Sequence, residues 1–406
     1  MTDNAPPPGA TAPGAHALPN RLSSGPAAVS RRIRRTPARA VTISLVGVLV
    51  IAAGTALLHA TASSAYDDAR AAFDLSSAQE RSSAEALRSA RQDADALVAV
   101  SSLVEATGDD ALLVPEERAA LHEASARLVE VPASVPRPAP SPSAAGSRPV
   151  LPWDLASEAA RLRQDAETEQ ERARSMRDSV DALKAAIGTL RTAVSSAATA
   201  ASERAAATEA QFVSARTGDV IALRKAATAL ATSAAAPDQT TAAAFASLES
   251  AVAGVRSSQE AELAEKAGPL MQTRLEIEAF ARSIAGGVLL DFDWAPEVNG
   301  FGGAGGIGGL TSWNAGDGAG GFATVTLSDS VAEVWPAEGS RALVVHEVGH
   351  AISAKCYALF DWKDRAANES WATAWAIGKG ETDDANGVWL YGYPSQSLID
   401  TAATCR

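Results

Sequence analysis

Hydrophobic and polar positions divide this chain into stretches of different period. Val41 to Leu58 is eighteen residues without a charge, rich in Val, Ile, Leu and Ala. That is just long enough to cross a bilayer as a helix. Residues 66–130 follow a helical pattern, broken around Thr107-Gly108-Asp109-Asp110 and resumed near Pro115. Seven prolines between Val131 and Pro152 stop helix and predict a semi-rigid or loose linker. Helix resumes near Asp154. Met176, Val180, Leu183, Ile187, Leu190 and Val194 are spaced 4, 3, 4, 3, 4, the heptad seam of a helix packing on a long partner. After a break near Ala236-Pro237-Asp238, Leu263, Leu270, Ile277 and Ile284 recur every seventh residue, with Gly268-Pro269 kinking or interrupting the helix.

The pattern changes at Gly286. Gly300 to Gly321 contains eleven Gly in twenty-two residues. A phosphate-loop reading fails, because no Gly-Lys-Ser/Thr follows, so a flexible loop or hairpin tip is expected. Phe322 to Leu327 alternates and reads as a strand. Arg341 to about Tyr357 and Asn368 to about Ile377 read as helices. Seven of eight Trp, three of four Tyr and both Cys lie at or after Trp294. A compact core is therefore expected near the C-terminus, and helical rods in the middle.

Charge adds a topology. The formal net charge is −13, yet residues 1–40 carry six Arg against one Asp. Arg31-Arg32-Ile33-Arg34-Arg35, just before the apolar run, predicts N-in, C-out orientation behind a disordered cytoplasmic tail. Small residues at Ala60-Thr61-Ala62 and Ser63-Ser64-Ala65 allow the alternative of a cleaved signal peptide and a secreted product. Both readings export everything after residue 65. No basic patch is interleaved with aromatics, so nucleic acid is not an expected partner.

The chemistry centres on His346-Glu347-Val348-Gly349-His350. On a helix the two histidines are about 40° apart, one turn apart on the same face, where they can take two corners of a zinc tetrahedron. Glu347 points about 100° round from His346, placed to accept a proton from an activated water. Val344, Val345, Val348 and Ile352 make the rest of this helix apolar and predict its burial. A catalytic zinc wants three protein ligands and an open position. No His follows His350, so the third ligand is expected to be a carboxylate. Asp361, Asp364, Glu369 and Glu381 are candidates. Glu369, nineteen residues after His350 in Asn368-Glu369-Ser370-Trp371, is the best placed; its plainer reading is a solvated carboxylate at a helix N-terminus. Cys356 and Cys405 lie on the exported side, where disulfides persist, and are expected to pair.

His-Glu-x-x-His followed by Asn-Glu on a second helix resembles the gluzincins, the thermolysin-like zinc metallopeptidases, over about residues 288–406. The resemblance implies one zinc per chain held by His346, His350 and Glu369, with Glu347 as catalytic base. It also implies that a peptide substrate lies antiparallel on the strand ending near Leu327. This chain departs from the family in two places. Thr373 stands where the family has an Asp supporting a zinc histidine, and no downstream His is present to stabilise the oxyanion. Tyr391 or Tyr393 could supply a phenol donor instead, or be ordinary core.

The expected architecture is multidomain. It comprises a tail (1–40), a transmembrane helix (41–58), a helical stalk (66–130), a Pro-rich linker (131–152), a helical coiled-coil region (153–285) able to self-associate, and a small α+β zincin-like domain (288–406). The expected function is that of a membrane-anchored extracytoplasmic zinc metalloendopeptidase acting on peptide or protein. The alternatives are a zinc-binding pseudopeptidase serving as a cell-surface binding module, and a structural helical rod.

Overall fold

A computed structural model describes residues 38–131, 147–316 and 321–406. The arginine cluster and most of the expected tail and Pro-rich linker lie outside the described residues. The chain is mostly helical, with a long apolar N-terminal helix and a small C-terminal sheet. It divides into two compact units. One holds the described residues up to Asp68 together with Arg148–Ala159, and the other holds the rest.

In the first unit, helix α1 (Ala38–Glu105) carries the apolar run. Val48, Leu49, Val50, Ile51, Leu57 and Leu58 are 63–68 % exposed, so no protein core claims them. This helix is long and apolar enough to cross a membrane. Where the chain returns to this unit, Arg148 pairs with Asp67, bonds Ser63 Oγ at 2.9 Å and covers the Tyr66 ring at 5.3 Å.

The second unit has two cores. The first is helical and draws on α1 beyond Ala69, α2 (Pro115–Glu130), α3 (Pro152–Gln211), α4 (Thr217–Ser233) and α5 (Gln239–Glu265). The seam Met176 to Val194 is 0–7 % exposed at all six positions. It is buried in one cluster with Leu87, Ala90, Ala94, Leu97 and Val104 of α1, so the seam finds its partners within this chain. Gly268 has φ of +137°, and the chain breaks there before α6 (Met271–Ile284). The sevenfold repeat from Leu263 to Ile284 therefore does not run as one helix. Ile277, Ala281 and Ala285 belong to the second core, so α6, grouped by its period with the helical region 153–285, adds apolar residues to the core of the sheet, while its Glu278 pairs with Lys266 at the end of α5.

The sheet has three strands, β1 (Leu289–Ala295), β2 (Gly309–Asn314) and β3 (Phe322–Ser328), in the order β1-β3-β2. β1 runs parallel to β3, and β2 antiparallel. Two expectations are corrected here. The strand ending near Leu327 is the central strand, not an edge. The edge on the β2 side is formed by Leu310-Thr311-Ser312-Trp313, a strand-forming run inside the Gly-rich stretch expected to be loop. Beyond β3 come α7 (Asp329–Val334), α8 (Glu338–Ala351), α9 (Ser353–Cys356), α10 (Arg365–Gly378), α11 (Val388–Tyr391) and α12 (Gln396–Ala402). Alternation sends Ala323, Val325 and Leu327 into the second core. There they join Val344, Val345 and Val348 of α8 and the fully buried Trp371 and Trp375 of α10.

Two features tie elements of this unit together. Lys266, Glu262 and Glu278 are buried charges, and each is paired: Lys266 Nζ lies 2.9 Å from Glu262 and 3.1 Å from Glu278, as buried ions require. Cys356 and Cys405 form a disulfide across 49 residues. Closing such a loop stabilises by about 4 kcal/mol in the chain-entropy account. Denaturant unfolding with and without a reductant should differ by roughly that amount; equal midpoints would contradict it.

Candidate metal centre

Helix α8 delivers both histidines. Every residue from Val344 to Ala351 is buried, so the helix is enclosed all round, and its polar side chains must be satisfied inside. Gly349 lets α10 approach: a Cβ there would stand 2.8 Å from Ala372 O and 2.9 Å from Ala372 Cα. The close crossing brings Glu369, in the second turn of α10, against the histidines. Asp364 caps this helix by accepting from Ala366 N at 3.0 Å.

The three side chains converge on one point. His350 Nε2 lies 3.2 Å from His346 Nε2 and 3.1 Å from Glu369 Oε2, and His346 Nε2 lies 3.4 Å from the same oxygen. The other ring nitrogens face acceptors. His346 Nδ1 lies 2.8 Å from the Asn386 carbonyl, and His350 Nδ1 lies 3.1 Å from Asn368 Oδ1. Each Nδ1–H donates outward, which leaves each Nε2 a lone pair turned inward. Two lone pairs and a carboxylate oxygen at such range repel unless a cation sits among them. A tetrahedral divalent ion with bonds of about 2.0–2.2 Å holds its ligands about 3.3–3.6 Å apart, close to the triangle seen. His346, His350 and Glu369 could hold a metal ion.

Electrostatics agree with this arrangement. In the metal-free protein burial works against ionisation of Glu369, but hydrogen bonds and charge from both histidines in their protonated form hold its carboxyl well below the usual range. Burial opposes the charged form of His350. The bond to Glu369 and the charges of Glu347 and Glu369 outweigh it and raise its pKa above the ordinary 6.5. Ligation needs neutral imidazole, so protons compete with metal at pH values above 6.5 in the metal-free protein. Metal affinity should fall steadily as pH drops through that raised value, with Glu369 still ionised. Competition against a chelator between about pH 8 and 5.5 measures this; a pH-independent affinity would contradict it.

Glu347 is buried beside the triangle. Thr311 Oγ1 of β2 donates to its Oε2 at 2.7 Å. Gly309 makes room for it, since a Cβ there would fall 2.4 Å from Glu347 Oε1. Tyr391 lies with its ring nearly parallel to that of His346, centroids 6.0 Å apart. Burial, then the charge of Glu369 and a hydrogen bond to it, push the Tyr391 phenol up to about 12. Tyr393 is 71 % exposed and is not among the residues lining the cavity beside the site. The other candidate carboxylates are engaged elsewhere: Asp364 in the cap, Glu381 with Arg341 at 2.9 Å, and Asp361 with Lys363 N.

Several contacts at the site were not foreseen. Thr373 Oγ1 is 3.5 Å from His346 Nδ1, and the Asn386 carbonyl makes the shorter contact. That carbonyl does the orienting expected of an Asp. It is presented by the Asn386-Gly387 turn, where Gly387 has φ of +105° and a Cβ would reach 2.7 Å from the His346 ring. An Asn-Gly pair is a turn signal, but nothing local says which side chain the turn meets. A cavity of about 620 Å³ opens beside His346 and Glu347, lined in part by Phe301, Ile307, Leu343, Arg365, Trp389 and Tyr391. On the same face of β2 as Thr311, two residues along, Trp313 packs on Tyr357 and Trp362 at centroid distances of 6.1 and 5.7 Å. No family model, no curated protein and no solved structure matches this chain.

Proposed function

We propose that this chain is a membrane-anchored zinc metalloendopeptidase whose site works outside the cytoplasm. The observation that carries the reading is the meeting of three ligand atoms within 3.1–3.4 Å beside a second, buried carboxylate, Glu347. A structural zinc site needs no such neighbour; it closes with a fourth ligand. Two imidazoles and one carboxylate suit zinc over harder ions. The apolar α1 supports the anchor, and the Cys356–Cys405 disulfide supports an oxidising compartment.

When bound, zinc lowers the pKa of a water towards ~7 and polarises the substrate carbonyl. The protein's own groups do the rest. Thr311 fixes Glu347 by binding Oε2, and Oε1 takes the proton of the attacking water and returns it to the leaving amine. Tyr391, kept protonated by a pKa of about 12, is the phenol donor for the developing oxyanion. The substrate lies extended along the outer edge of β2. Ser328 N bonds the Gly308 carbonyl, so by alternation Thr311 and Trp313 turn their peptide groups outward. The chain so bound runs between the cavity and the Trp313–Tyr357–Trp362 cluster.

A zinc-binding module without turnover is the second reading. The closeness of the Tyr391 phenol to the Glu369 carboxylate favours it, because a phenol drawn to Glu369 is not free for an oxyanion. Full-length protein in detergent, incubated with a broad library of unstructured peptides, separates the two. Cleavage lost to a chelator and restored by zinc supports the first reading. Zinc-loaded protein that cleaves nothing supports the second.

A further inference from the structure

We propose that the segment Val150–Trp153 is a second membrane contact, lying in the outer interface of the bilayer that α1 crosses. Between Arg39 and Asp67 the sequence holds no Asp, Glu, Lys or Arg. Val41 to Tyr66, twenty-six residues, spans about 39 Å at ~1.5 Å per residue. That approaches the ~40–45 Å of a bilayer with its headgroups. Asp67 therefore stands at the outer headgroup boundary when α1 spans, and Tyr66 just inside it.

Arg148 fastens the returning chain at this level. Its guanidinium pairs with both oxygens of Asp67, bonds Ser63 and lies over the Tyr66 ring. Two residues on, the chain presents Val150-Leu151-Pro152-Trp153, with Val150 79 %, Leu151 45 % and Trp153 66 % exposed. Three large apolar side chains left in water within four residues cost free energy that nothing in this unit recovers. Beside a span of lipid-facing side chains, the bilayer interface is what covers them. Trp is the side chain suited to it, with an apolar body and an N–H that reaches water. The contact holds the start of α3 at the membrane surface, independently of what the metal centre does.

The test uses full-length protein reconstituted in vesicles. The fluorescence of wild type minus that of Trp153→Phe isolates Trp153 from the other seven tryptophans. Trp153 is mostly exposed, so the variant should fold as wild type. The Trp153 component should be blue-shifted. Lipids brominated near the headgroup should quench it more strongly than lipids brominated near the chain ends, and aqueous iodide should not. Arg148→Ala should release the segment and lose most of that lipid quenching. A Trp153 component quenched by iodide and untouched by brominated lipid overturns the proposal. So does protein that alkaline carbonate extracts from the vesicles, because the span itself is then absent.

Discussion

Replacing Glu347 with Gln should leave one zinc bound and lower peptide cleavage by on the order of 10²–10⁴, the usual worth of a positioned proton-transfer group. The amide keeps the volume of the carboxylate and can still meet the Thr311 hydroxyl, which binds Oε2 at 2.7 Å. It cannot accept a proton. Glu347 is not among the three converging ligand atoms, so metal content should not change. Steady-state cleavage and metal analysis on the same preparation check both halves. A variant that cleaves at the wild-type rate removes Glu347 from the mechanism. One that loses its zinc makes Glu347 a ligand, and the site a different one.

The second large effect is expected at Gly349, which supplies none of the three converging ligand atoms. Changing it to Ala places a Cβ 2.8–2.9 Å from backbone atoms of Ala372. Backbone inside a packed helix pair cannot swing aside as a flexible side chain can. Helix α10 must shift, and Glu369 rides on α10 three residues before Ala372. Overpacking of this kind costs about 1–3 kcal/mol. Zinc affinity should fall by on the order of 10–100-fold, as when groups that orient metal ligands are altered. Thermal unfolding of the metal-free protein and a zinc competition titration check the two effects. Unchanged affinity would mean that the close approach of α8 to α10 does not set the ligand triangle.

The triangle of His346, His350 and Glu369, which could hold a metal ion, was legible in the sequence because its two histidines are local. His346 and His350 sit one helical turn apart, and Glu369 is the carboxylate a second helix can return to them. The apolar neighbours Val344, Val345 and Val348 announced a buried helix, and all three are 0–1 % exposed. The heptad residues from Met176 to Val194 likewise announced burial, though not that the partners lie in the same chain. What was illegible depends on distant segments meeting. Nothing in Asn386-Gly387 shows that its carbonyl orients a histidine 40 residues earlier. Strand order is the clearest case. Phe322 to Leu327 has the stronger alternation, and the gluzincin resemblance implies that this strand is the substrate edge, yet it pairs on both sides. The Gly-rich stretch hides β2 because a glycine, Gly309, is needed where Glu347 must fit. α6 adds Ile277 and Ala281 to the core of the sheet, which its seven-residue period could not indicate because a period does not say which neighbour it faces.

Metal analysis of the purified full-length protein tests the central claim most directly, with wild type, His350→Ala and Glu369→Ala measured side by side. The account predicts one zinc per chain in wild type and a large loss in both variants. Zinc absent from wild type, or retained in full by both variants, would contradict it.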